Sequence, residues 1–326
     1  MQQRILSGMR PTGKLHLGHL VGALDNWVRL QEQYSCYFMV ADWHALMGEY
    51  ENVGAMRESS IDNVIDWLAA GIDPARSTIF VQSHVPQHLE LYMIFSCFTP
   101  LGWLERCPTY KEQLREVTTR DLNTYAFLGY PVLQAADIAL YKAHKVPVGE
   151  DQLPHLELTR EIVRRFNGMY KTEIFPEPEA ILTSTPRLLG IDGRKMSKSY
   201  DNAINLSDSD EDIRKKVSSM ITDPQRIKLA DPGHPDICNV FAYYHTFLTG
   251  MEGDVRDWCT NAKIGCTECK KRCAAGLIEM LSPFHKRRQV FAKDRTLVEK
   301  ILNDGREKAA AYASGTIREA KTAMHL

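Results

Sequence analysis

The sequence has no run of 18 or more consecutive apolar residues, no internal repeat and no low-complexity tract. The first of these absences excludes a membrane-spanning helix, because a helix needs about 20 apolar residues to cross a bilayer. Net charge is also nearly absent, since 40 lysines and arginines oppose 41 aspartates and glutamates. A chain with a formal charge of −1 has no overall field that attracts nucleic acid, so any RNA-binding surface must be a local basic patch.

Little sequence precedes the first predicted strand, which begins within a few residues of Met1. We therefore expect no signal or transit peptide and predict a cytoplasmic protein. The eight cysteines do not suit the framework of a secreted disulfide-rich domain, because five of them crowd one region. In a reducing compartment such crowding indicates a metal site. The crowded cysteines are Cys238, Cys259, Cys266, Cys269 and Cys273.

What is present is the composition of an ordinary globular protein, with 44% hydrophobic and 25% charged residues. A length of 326 residues predicts two domains. Apolar runs at residues 5–6, 36–41, 78–81 and 146–148 predict strands, and the helical patterns between them predict a doubly wound parallel sheet. Ligands of such sheets bind beyond the carboxyl ends of the strands, where residues 7–9, 42–44 and 149–151 fall.

Helical segments interrupt this alternation over residues 86–140, which we interpret as an insertion. Further helices are predicted over residues 53–70, 152–167 and 207–220, and from residue 241 onward. We therefore predict an α/β catalytic domain of the Rossmann type over residues 1–203. A second, helical domain that carries the cysteine site is predicted over residues 204–326.

A strand, a glycine-containing turn and the start of a helix follow one another in the stretch RILSGMRPTGKLHLGHLVGAL near the amino terminus. This order brings free backbone N–H groups and the positive end of the helix dipole together, which suits a phosphate group. His16 and His19 lie at the predicted helix start, and Gly18 between them allows a ligand to approach the backbone closely. The structural alternative is a surface turn that carries two histidines by chance.

A second stretch, KMSKS at residues 195–199, lies far downstream in a glycine-flanked loop. Two lysines and two hydroxyl groups suit a polyphosphate, although a solvated charged loop has the same composition. The two motifs, in this order and at this distance, resemble those of class I aminoacyl-tRNA synthetases. The runs SGMRPTGKLHLGH, VADWHAL, YPVLQAADIALY, VPVGEDQLPHLELTREIVRRFN and GRKMSKS resemble tryptophanyl-tRNA synthetases of the bacterial type, over essentially the whole chain.

The resemblance implies a two-step reaction, in which L-tryptophan and ATP give tryptophanyl-adenylate and pyrophosphate before the aminoacyl group moves to tRNA(Trp). Such chemistry depends on positioning and charge stabilisation, so we assign no general base. By resemblance Lys195, Lys198 and His19 are catalytic, and the two lysines neutralise the departing pyrophosphate. Glu150 and Asp151 also have a structural alternative, as an N-cap pair of the following helix. ATP with Mg²⁺ is expected at Arg10, Pro11, Thr12, Gly18, His19, Gly149, Glu150, Asp151, Lys195, Met196, Ser197, Lys198 and Ser199.

Asp137 is the residue that we expect to select the amino acid. It lies seven residues after Tyr130, so the two share one face of a predicted helix. In the family the matching aspartate accepts the indole N–H, which is a donor only and therefore suits a buried carboxylate. The structural alternative is an ordinary surface aspartate. The set expected to bind tryptophan is Asp137, Tyr130, Gln134, Gly8, His44 and Gln152.

Gln134 departs from the methionine that is commoner at this place in the bacterial enzymes. With Tyr130 and Asp137 it gives the segment some likeness to the pocket of tyrosyl-tRNA synthetases, which we keep as the alternative family. A small-molecule nucleotidyltransferase also carries H-x-G-H, but it lacks the lysine motif and a cysteine-bearing helical domain. A non-enzymatic iron–sulfur sensor that binds RNA is disfavoured by the intact phosphate motifs.

The order Cys238-x20-Cys259-x6-Cys266-x2-Cys269 suits Zn²⁺ or an iron–sulfur cluster. A subset of tryptophanyl-tRNA synthetases resembles it, with a four-cysteine [4Fe–4S] cluster in the helical anticodon-binding domain. The first spacing is longer in that subset, so Cys273 is an alternative ligand to Cys238. Buried free thiols are the structural alternative.

Two basic runs, at residues 270–272 and 285–288, are candidate RNA phosphate contacts, although charged helix faces are usually only solvated. The resemblance also implies a homodimer, in which the insertion at residues 86–140 forms the interface.

Overall fold

A parallel sheet of five strands lies at the centre of the fold. The computed structural model describes residues 2–51, 53–116, 121–182, 188–197 and 200–326. The strands are β1 (Arg4–Met9), β2 (Ser35–Val40), β3 (Ser77–Val81), β4 (Lys145–Val148) and β5 (Glu179–Leu182). Their order is β3-β2-β1-β4-β5, all neighbours run parallel, and helices connect successive strands. The predicted α/β fold with a doubly wound sheet is therefore confirmed.

The burial of each strand explains whether the strand could be predicted from the sequence. In β2 every residue after Ser35 is buried, and the strand pairs with β1 and β3 on its two sides. β5 is absent from the sequence prediction. It is a short strand at the edge of the sheet whose residues are exposed or half-buried, so it lacks the continuous apolar run of a central parallel strand.

Helices pack around the sheet and continue beyond it. They are α1 (Leu17–His19), α2 (Asp25–Leu30), α3 (Asp42–Glu49), α4 (Met56–Ala70), α5 (Gln87–Ser96), α6 (Leu101–Glu105), α7 (Pro108–Glu116), α8 (Tyr125–Leu140), α9 (Leu153–Tyr170), α10 (Asp210–Ser219), α11 (Asn239–Phe247), α12 (Glu252–Thr260), α13 (Cys266–Lys293) and α14 (Arg295–Ala323). A π-helical segment at Leu20–Leu24 lies between α1 and α2 and interrupts the first predicted helix. Among the described residues, no helix combines the length and apolar character that a membrane crossing requires.

α8 carries the residues predicted to bind the amino acid. It begins after Thr124, whose hydroxyl accepts a hydrogen bond from the Phe127 N–H at 3.2 Å. Most of its residues from Gly129 onward are buried, whereas Tyr130 and Gln134 are half-buried. The polar positions therefore lie on one stripe of an otherwise apolar helix.

The chain forms two compact units. The sheet unit consists of Met1–Thr12, Asn26–Ser184 and Asp294–Leu326, and the helical unit consists of Gly13–Asp25 and Thr185–Lys293. The sheet unit therefore includes α14, which packs against β3, α4, α5 and α8.

The contact between α14 and β3 is unusually close at Gly305. A Cβ atom at this position would overlap the backbone carbonyl oxygen of Ile79 in β3. Ala309, Ala313 and Ile317 of the same helix are buried in the core of the sheet unit. The domain boundary between residues 203 and 204, which was inferred from the sequence, stays a prediction. The two structural units divide the chain elsewhere, because α14 completes the core of the sheet unit.

Candidate active site

Asp137 of α8 lies at the centre of a buried polar network in the sheet unit. The residue is 2% exposed although it carries a carboxylate. One carboxylate oxygen lies 2.7 Å from His44 Nε2, and the other lies 2.6 Å from His88 Nδ1. The Gln82 amide nitrogen donates to both oxygens at 2.9 Å. Asp137 is therefore a buried acceptor that three side chains hold in place, and not a surface aspartate.

The ends of two strands position these partners. His44 follows β2 and Gln82 follows β3, at the carboxyl ends of neighbouring parallel strands. The Gln82 amide oxygen accepts a hydrogen bond from the Trp43 N–H at 3.2 Å, which turns its amide nitrogen towards Asp137. His44 and Asp137, both chosen from the sequence, are thus in direct contact.

The network also sets the charge of the carboxyl group. Burial alone would raise the pKa of Asp137, but the charges and hydrogen bonds of His88 and His44 outweigh burial and hold the pKa below its ordinary value. His88 also reaches the Tyr141 hydroxyl through Nε2 at 2.8 Å. At neutral pH the site therefore presents an ionised, oriented carboxylate.

A second chain of hydrogen bonds joins α8 to the residues after β4. The Tyr130 hydroxyl lies 2.7 Å from His155 Nε2, and His155 Nδ1 lies 3.0 Å from the Gln152 amide oxygen. The Gln152 amide nitrogen donates to the Asp151 carboxylate at 2.8 Å. Burial, with a smaller contribution from His44, lowers the pKa of His155 to about 4. The chain connects Tyr130 and Gln152, both predicted to bind tryptophan, with Asp151, which is predicted to bind ATP.

Gly149, Glu150 and Asp151 directly follow β4. A Cβ atom at Gly149 would lie 2.6 Å from Asp151 Oδ1, so glycine makes room for this carboxylate. The N-cap residue of α9 is Gln152, and it makes no side-chain cap bond. Glu150 and Asp151 are exposed and do not cap the helix, so capping does not account for the two carboxylates.

The remaining predicted residues of the sheet unit lie on β1, on the turn after it and on α8. Gly8 is an exposed residue of β1, and Arg10, Pro11 and Thr12 follow this strand. The Thr12 N–H donates to the Arg10 carbonyl at 2.9 Å, which closes a tight turn. Gln134 is half-buried on α8, four residues after Tyr130.

In the helical unit the H-x-G-H motif is organised by its own histidines. His16 Nδ1 accepts a hydrogen bond from the Gly18 N–H at 3.1 Å and so caps α1. His19 Nδ1 accepts in turn from the His16 N–H at 3.2 Å. A Cβ atom at Gly18 would lie 2.9 Å from the His16 ring, so this glycine is needed for the cap itself.

The lysine motif lies in a turn built around Asn202, which is 1% exposed. The Asn202 side chain accepts from the Ser197 N–H at 2.9 Å and donates to the Lys195 carbonyl at 3.1 Å. Met196 is buried, whereas Lys195 is exposed. The other two predicted residues of this motif, Lys198 and Ser199, lie outside the described residues.

Four of the crowded cysteines line one small cavity of the helical unit, together with Arg226. Cys238 precedes α11, Cys259 lies in α12, and Cys266 and Cys269 lie in the first turn of α13. All four are free thiols. Cys273 is fully buried one turn further along α13.

These thiols affect one another, and they are not arranged as a finished metal site. Burial and the neighbouring Cys238 raise the pKa of Cys259, and the same causes raise the pKa of Cys269 to about 12. Several thiolates in this cavity would therefore need a cationic partner. Within the described part of the chain, however, no three His, Cys, Asp or Glu side chains are arranged so that they could hold a metal ion.

Some of the basic residues predicted to contact RNA have partners inside the helical unit. Lys270 donates to the Ser218 carbonyl at 2.9 Å. Arg272 donates to Glu268 at 2.9 Å and lies over the Trp258 ring, 4.7 Å from its centroid. These contacts orient both side chains along the surface of the unit.

Three residues of the site are absent from the sequence prediction: Gln82, His88 and His155. Gln82 directly follows the predicted strand at residues 78–81, so the rule that selected residues 42–44 would have found it. His155 lies three residues after Gln152 on a helix, and this spacing is a usable signal. His88 has no such signal, because its burial depends on the packing of α5 against α8.

Comparisons with known proteins identify the family. The family model described as tRNA synthetases class I (W and Y) matches residues 1–282. The tryptophan–tRNA ligase of Thermotoga maritima is 51% identical over 326 residues, which cover 99% of each chain. That of Aquifex aeolicus is 42% identical over 394 aligned positions, which cover 99% of this chain and 100% of the relative. The chain belongs to the class I tryptophanyl-tRNA synthetases.

Solved structures agree with this membership of the tryptophanyl-tRNA synthetases. The structure of the Campylobacter jejuni tryptophanyl-tRNA synthetase, described as complexed with ADP and tryptophane, matches with a TM-score of 0.90 at 30% identity. The match covers 99% of this chain and 100% of that one. A tyrosyl-tRNA synthetase from Aeropyrum pernix shares the fold, with a TM-score of 0.67 at 19% identity. The chain is therefore an aminoacyl-tRNA synthetase, a tryptophan–tRNA ligase, and the tyrosine alternative is not supported.

Proposed function

We propose that Asp137 selects tryptophan by accepting the indole N–H. The observation that carries this proposal is the buried, ionised carboxylate held by His44, His88 and Gln82. A carboxylate offers about four lone-pair directions. His44 and His88 each take one, and the Gln82 amide nitrogen is shared between the two oxygens. An indole N–H would therefore take the place of one of the two Gln82 contacts. Tyr130, Gln134, Gly8, His44 and Gln152 would complete the tryptophan site.

ATP–pyrophosphate exchange with each amino acid tests this proposal. We expect tryptophan to give the strongest exchange. In Asp137→Asn the KM for tryptophan should rise about tenfold to a hundredfold, because the indole N–H then faces an uncharged amide, while the KM for ATP changes little. Asp121→Asn, at an exposed aspartate, is the control. An unchanged KM for tryptophan in Asp137→Asn would refute the assignment.

ATP with Mg²⁺ is assigned to residues of each unit. In the sheet unit, Arg10, Pro11 and Thr12 after β1 would hold phosphate, and Gly149, Glu150 and Asp151 after β4 would accept the ribose hydroxyls. In the helical unit the assignment is to Gly18, His19, Met196, Ser197 and Ser199, with Lys195 and Lys198 on the leaving pyrophosphate. Mg²⁺ would be bound mainly through phosphate oxygens.

Lys195→Ala tests the catalytic assignment. Because the lysine charge is needed most as pyrophosphate leaves, kcat of the exchange reaction should fall while the KM for ATP changes less. The matched control is Arg194→Ala, since the Arg194 guanidinium is already paired with Asp192. An effect confined to KM would contradict a transition-state role.

The four cysteines that line one cavity, Cys238, Cys259, Cys266 and Cys269, are proposed to hold a [4Fe–4S] cluster in the helical, anticodon-binding part. Arg226 supports this, because its Nη1 lies 4.0 Å from Cys266 Sγ and its Nη2 is held by the Ile264 carbonyl at 2.8 Å. A positive charge fixed beside thiolates offsets the negative charge of four ligands. Bound there, the cluster would cross-link α12, α13 and the loop before α11. Zn²⁺ is the alternative occupant, and Cys273 the alternative ligand.

Protein purified without oxygen distinguishes the two metals. A cluster gives broad visible absorption that bleaches in air, with about four irons per chain. Colourless protein with one zinc per chain would refute the cluster. Cys273→Ser should retain the absorption if Cys238 is the fourth ligand and lose it if Cys273 is.

A homodimer is proposed through the insertion helices. Large apolar side chains remain exposed there, with Met93 on α5 at 63%, Leu101 on α6 at 61% and Tyr125 on α8 at 75%. Sedimentation of the wild type should give two chains per particle. Met93→Lys combined with Leu101→Lys should give one chain, and an unchanged mass would exclude this surface.

We place the enzyme in the cytoplasm, with tRNA(Trp) as its macromolecular substrate. All eight cysteines are free thiols, which suits a reducing compartment. Lys271 and Lys286 remain candidate contacts to the RNA phosphates.

A further inference from the structure

In the hydrogen-bond chain Tyr130–His155–Gln152–Asp151, the carboxylate at the Asp151 end determines which atom donates each hydrogen. A carboxylate only accepts, so the Gln152 amide must turn its nitrogen towards Asp151, at 2.8 Å. Its amide oxygen then faces His155 Nδ1, at 3.0 Å, and an amide oxygen also only accepts. Nδ1 therefore carries the hydrogen of the imidazole.

The same reasoning fixes the other end of the chain. A neutral imidazole with its hydrogen on Nδ1 has a bare lone pair on Nε2. Tyr130 Oη lies 2.7 Å from this atom, so the tyrosine hydroxyl must donate its only hydrogen to His155. His155 is 2% exposed and lies on the apolar side of α9, which leaves it little freedom to rotate. Because its only hydrogen is directed at His155, the Tyr130 oxygen can act only as an acceptor towards any other group.

The amino acid provides the complementary group. Tryptophan has two hydrogen-bond donors, the indole N–H and the α-ammonium. In the proposed function Asp137 accepts the first, and Tyr130 lies on the same face of α8, seven residues earlier. An oxygen that can only accept suits the ammonium and would not favour the carboxylate.

We propose that His155 is a positioning residue, which turns the Tyr130 hydroxyl proton away from the amino-acid site so that the Tyr130 oxygen accepts the α-ammonium of tryptophan. Without His155 the hydroxyl hydrogen loses its partner and turns towards the ammonium, where it opposes binding. This inference rests on the assignment of Asp137 and Tyr130 to the tryptophan site.

Binding of two analogues that each lack one charged group tests the proposal. Tryptamine keeps the ammonium and lacks the carboxylate, whereas indole-3-propionate keeps the carboxylate and lacks the ammonium. In His155→Phe the Kd of tryptamine, measured by calorimetry on the full chain, should rise about tenfold to a hundredfold. The Kd of indole-3-propionate should stay within about twofold, because no ammonium is present to meet the Tyr130 oxygen.

Two further variants separate positioning from a general loss of structure. His155→Gln offers an amide oxygen to Tyr130 and an amide nitrogen to Gln152, so it should restore most of the tryptamine affinity. In the Tyr130→Phe background, His155→Phe should add little further loss, because the oxygen that it orients is absent. Equal losses of both analogues in His155→Phe, or additive losses in the double variant, would overturn the proposal.

The test distinguishes this inference from the proposed function. If Asp137→Asn leaves the affinity of indole-3-propionate unchanged, the assignment of the indole site fails. If that variant weakens indole-3-propionate as expected and His155→Phe leaves tryptamine unaffected, only the role of His155 fails.

Discussion

His88 connects Asp137 with Tyr141 and is fully buried. Phenylalanine has a similar shape but cannot form either hydrogen bond. In His88→Phe the Asp137 carboxylate therefore keeps only His44 and Gln82, and the Tyr141 hydroxyl loses its imidazole partner. We expect the free energy of unfolding to fall by about 1–3 kcal/mol. The KM for tryptophan should rise more than the KM for ATP, because the Asp137 carboxylate loses its orientation.

Urea denaturation and ATP–pyrophosphate exchange measure the two effects of His88→Phe. His84→Phe is the matched control, because His84 is an exposed histidine in the turn that precedes α5. Comparable effects of the two substitutions would mean that the buried network does not act on tryptophan.

His155 gives stability a pH dependence of defined sign. Its pKa is about 4 in the folded protein and 6.5 in the unfolded chain, so between these values only the unfolded chain takes up a proton. The contribution of neutral His155 to the free energy of unfolding is therefore fully present at neutral pH. It is lost as the pH falls from 6.5 towards 4. The unfolding free energy of His155→Gln should fall by about 1 kcal/mol less per pH unit over this range than that of the wild type. Urea denaturation at pH 7, 6 and 5 measures both slopes, and equal slopes would contradict the shifted pKa.

The sequence predicts single residues at strand ends better than it predicts their partners. His44 and Asp137 follow from position and from resemblance, and the structure brings them into contact. The hydrogen-bond partners of Asp137 come from α3, from the turn after β3 and from α5, all of which lie far from Asp137 in the chain. The hydrophobic periodicity of a single helix or strand gives no information on contacts between distant elements. For this reason His88 was not predicted.

Gly305 is the position at which α14 comes closest to β3. Alanine there would place a methyl group on the Ile79 carbonyl oxygen, and neither backbone segment can move independently. We expect Gly305→Ala to destabilise the protein by more than about 2 kcal/mol. Gly315→Ala, in the same helix with nothing within 4 Å, should be neutral or stabilise by up to about 1 kcal/mol. Thermal unfolding of the two variants compares them directly, and similar melting temperatures would exclude a close backbone contact.

At the scale of elements, the sequence predicts what is buried along a continuous run. The strands β1 to β4 were expected from their apolar residues, and the structure confirms them within a few residues. β5 was not predicted because its residues are exposed or half-buried, whereas β3, at the other edge of the sheet, is buried beneath α14. The long helical pattern near the end of the chain is predicted as helix, but its return to the sheet depends on packing, which no local pattern records.

Within the helical unit, α11 connects the cavity lined by the cysteines with the turn that carries the lysine motif. α11 begins directly after Cys238, and its Asn239 amide donates to the Gly190 carbonyl at 2.6 Å. The Tyr243 hydroxyl of the same helix donates to the Leu189 carbonyl at 2.7 Å. Both carbonyls precede the lysine motif, so α11 holds one side of the turn that carries this motif.

Cys238→Ser should therefore act on catalysis and on tRNA charging without weakening tryptophan binding. A displaced α11 no longer holds the turn that carries Lys195, so kcat of the exchange reaction should fall several-fold. The Kd of tryptophan should stay unchanged, because the Asp137 network lies wholly in the sheet unit. Cys97→Ser, at an exposed cysteine of the sheet unit, is the control. An equal loss of tryptophan affinity would instead mean that the cysteine site maintains the whole fold.

The position of α14 has a consequence for how the protein is made. A ribosome synthesises all of β1 to β5 and then the 188–293 segment before it reaches α14. Until then the nascent sheet lacks the helix that packs against Ile79, and its apolar surface has no cover on that side. The helical unit, by contrast, is complete in sequence before α14 emerges. Co-translational folding of the two units therefore ends with the sheet unit, although β1 is synthesised before the other strands.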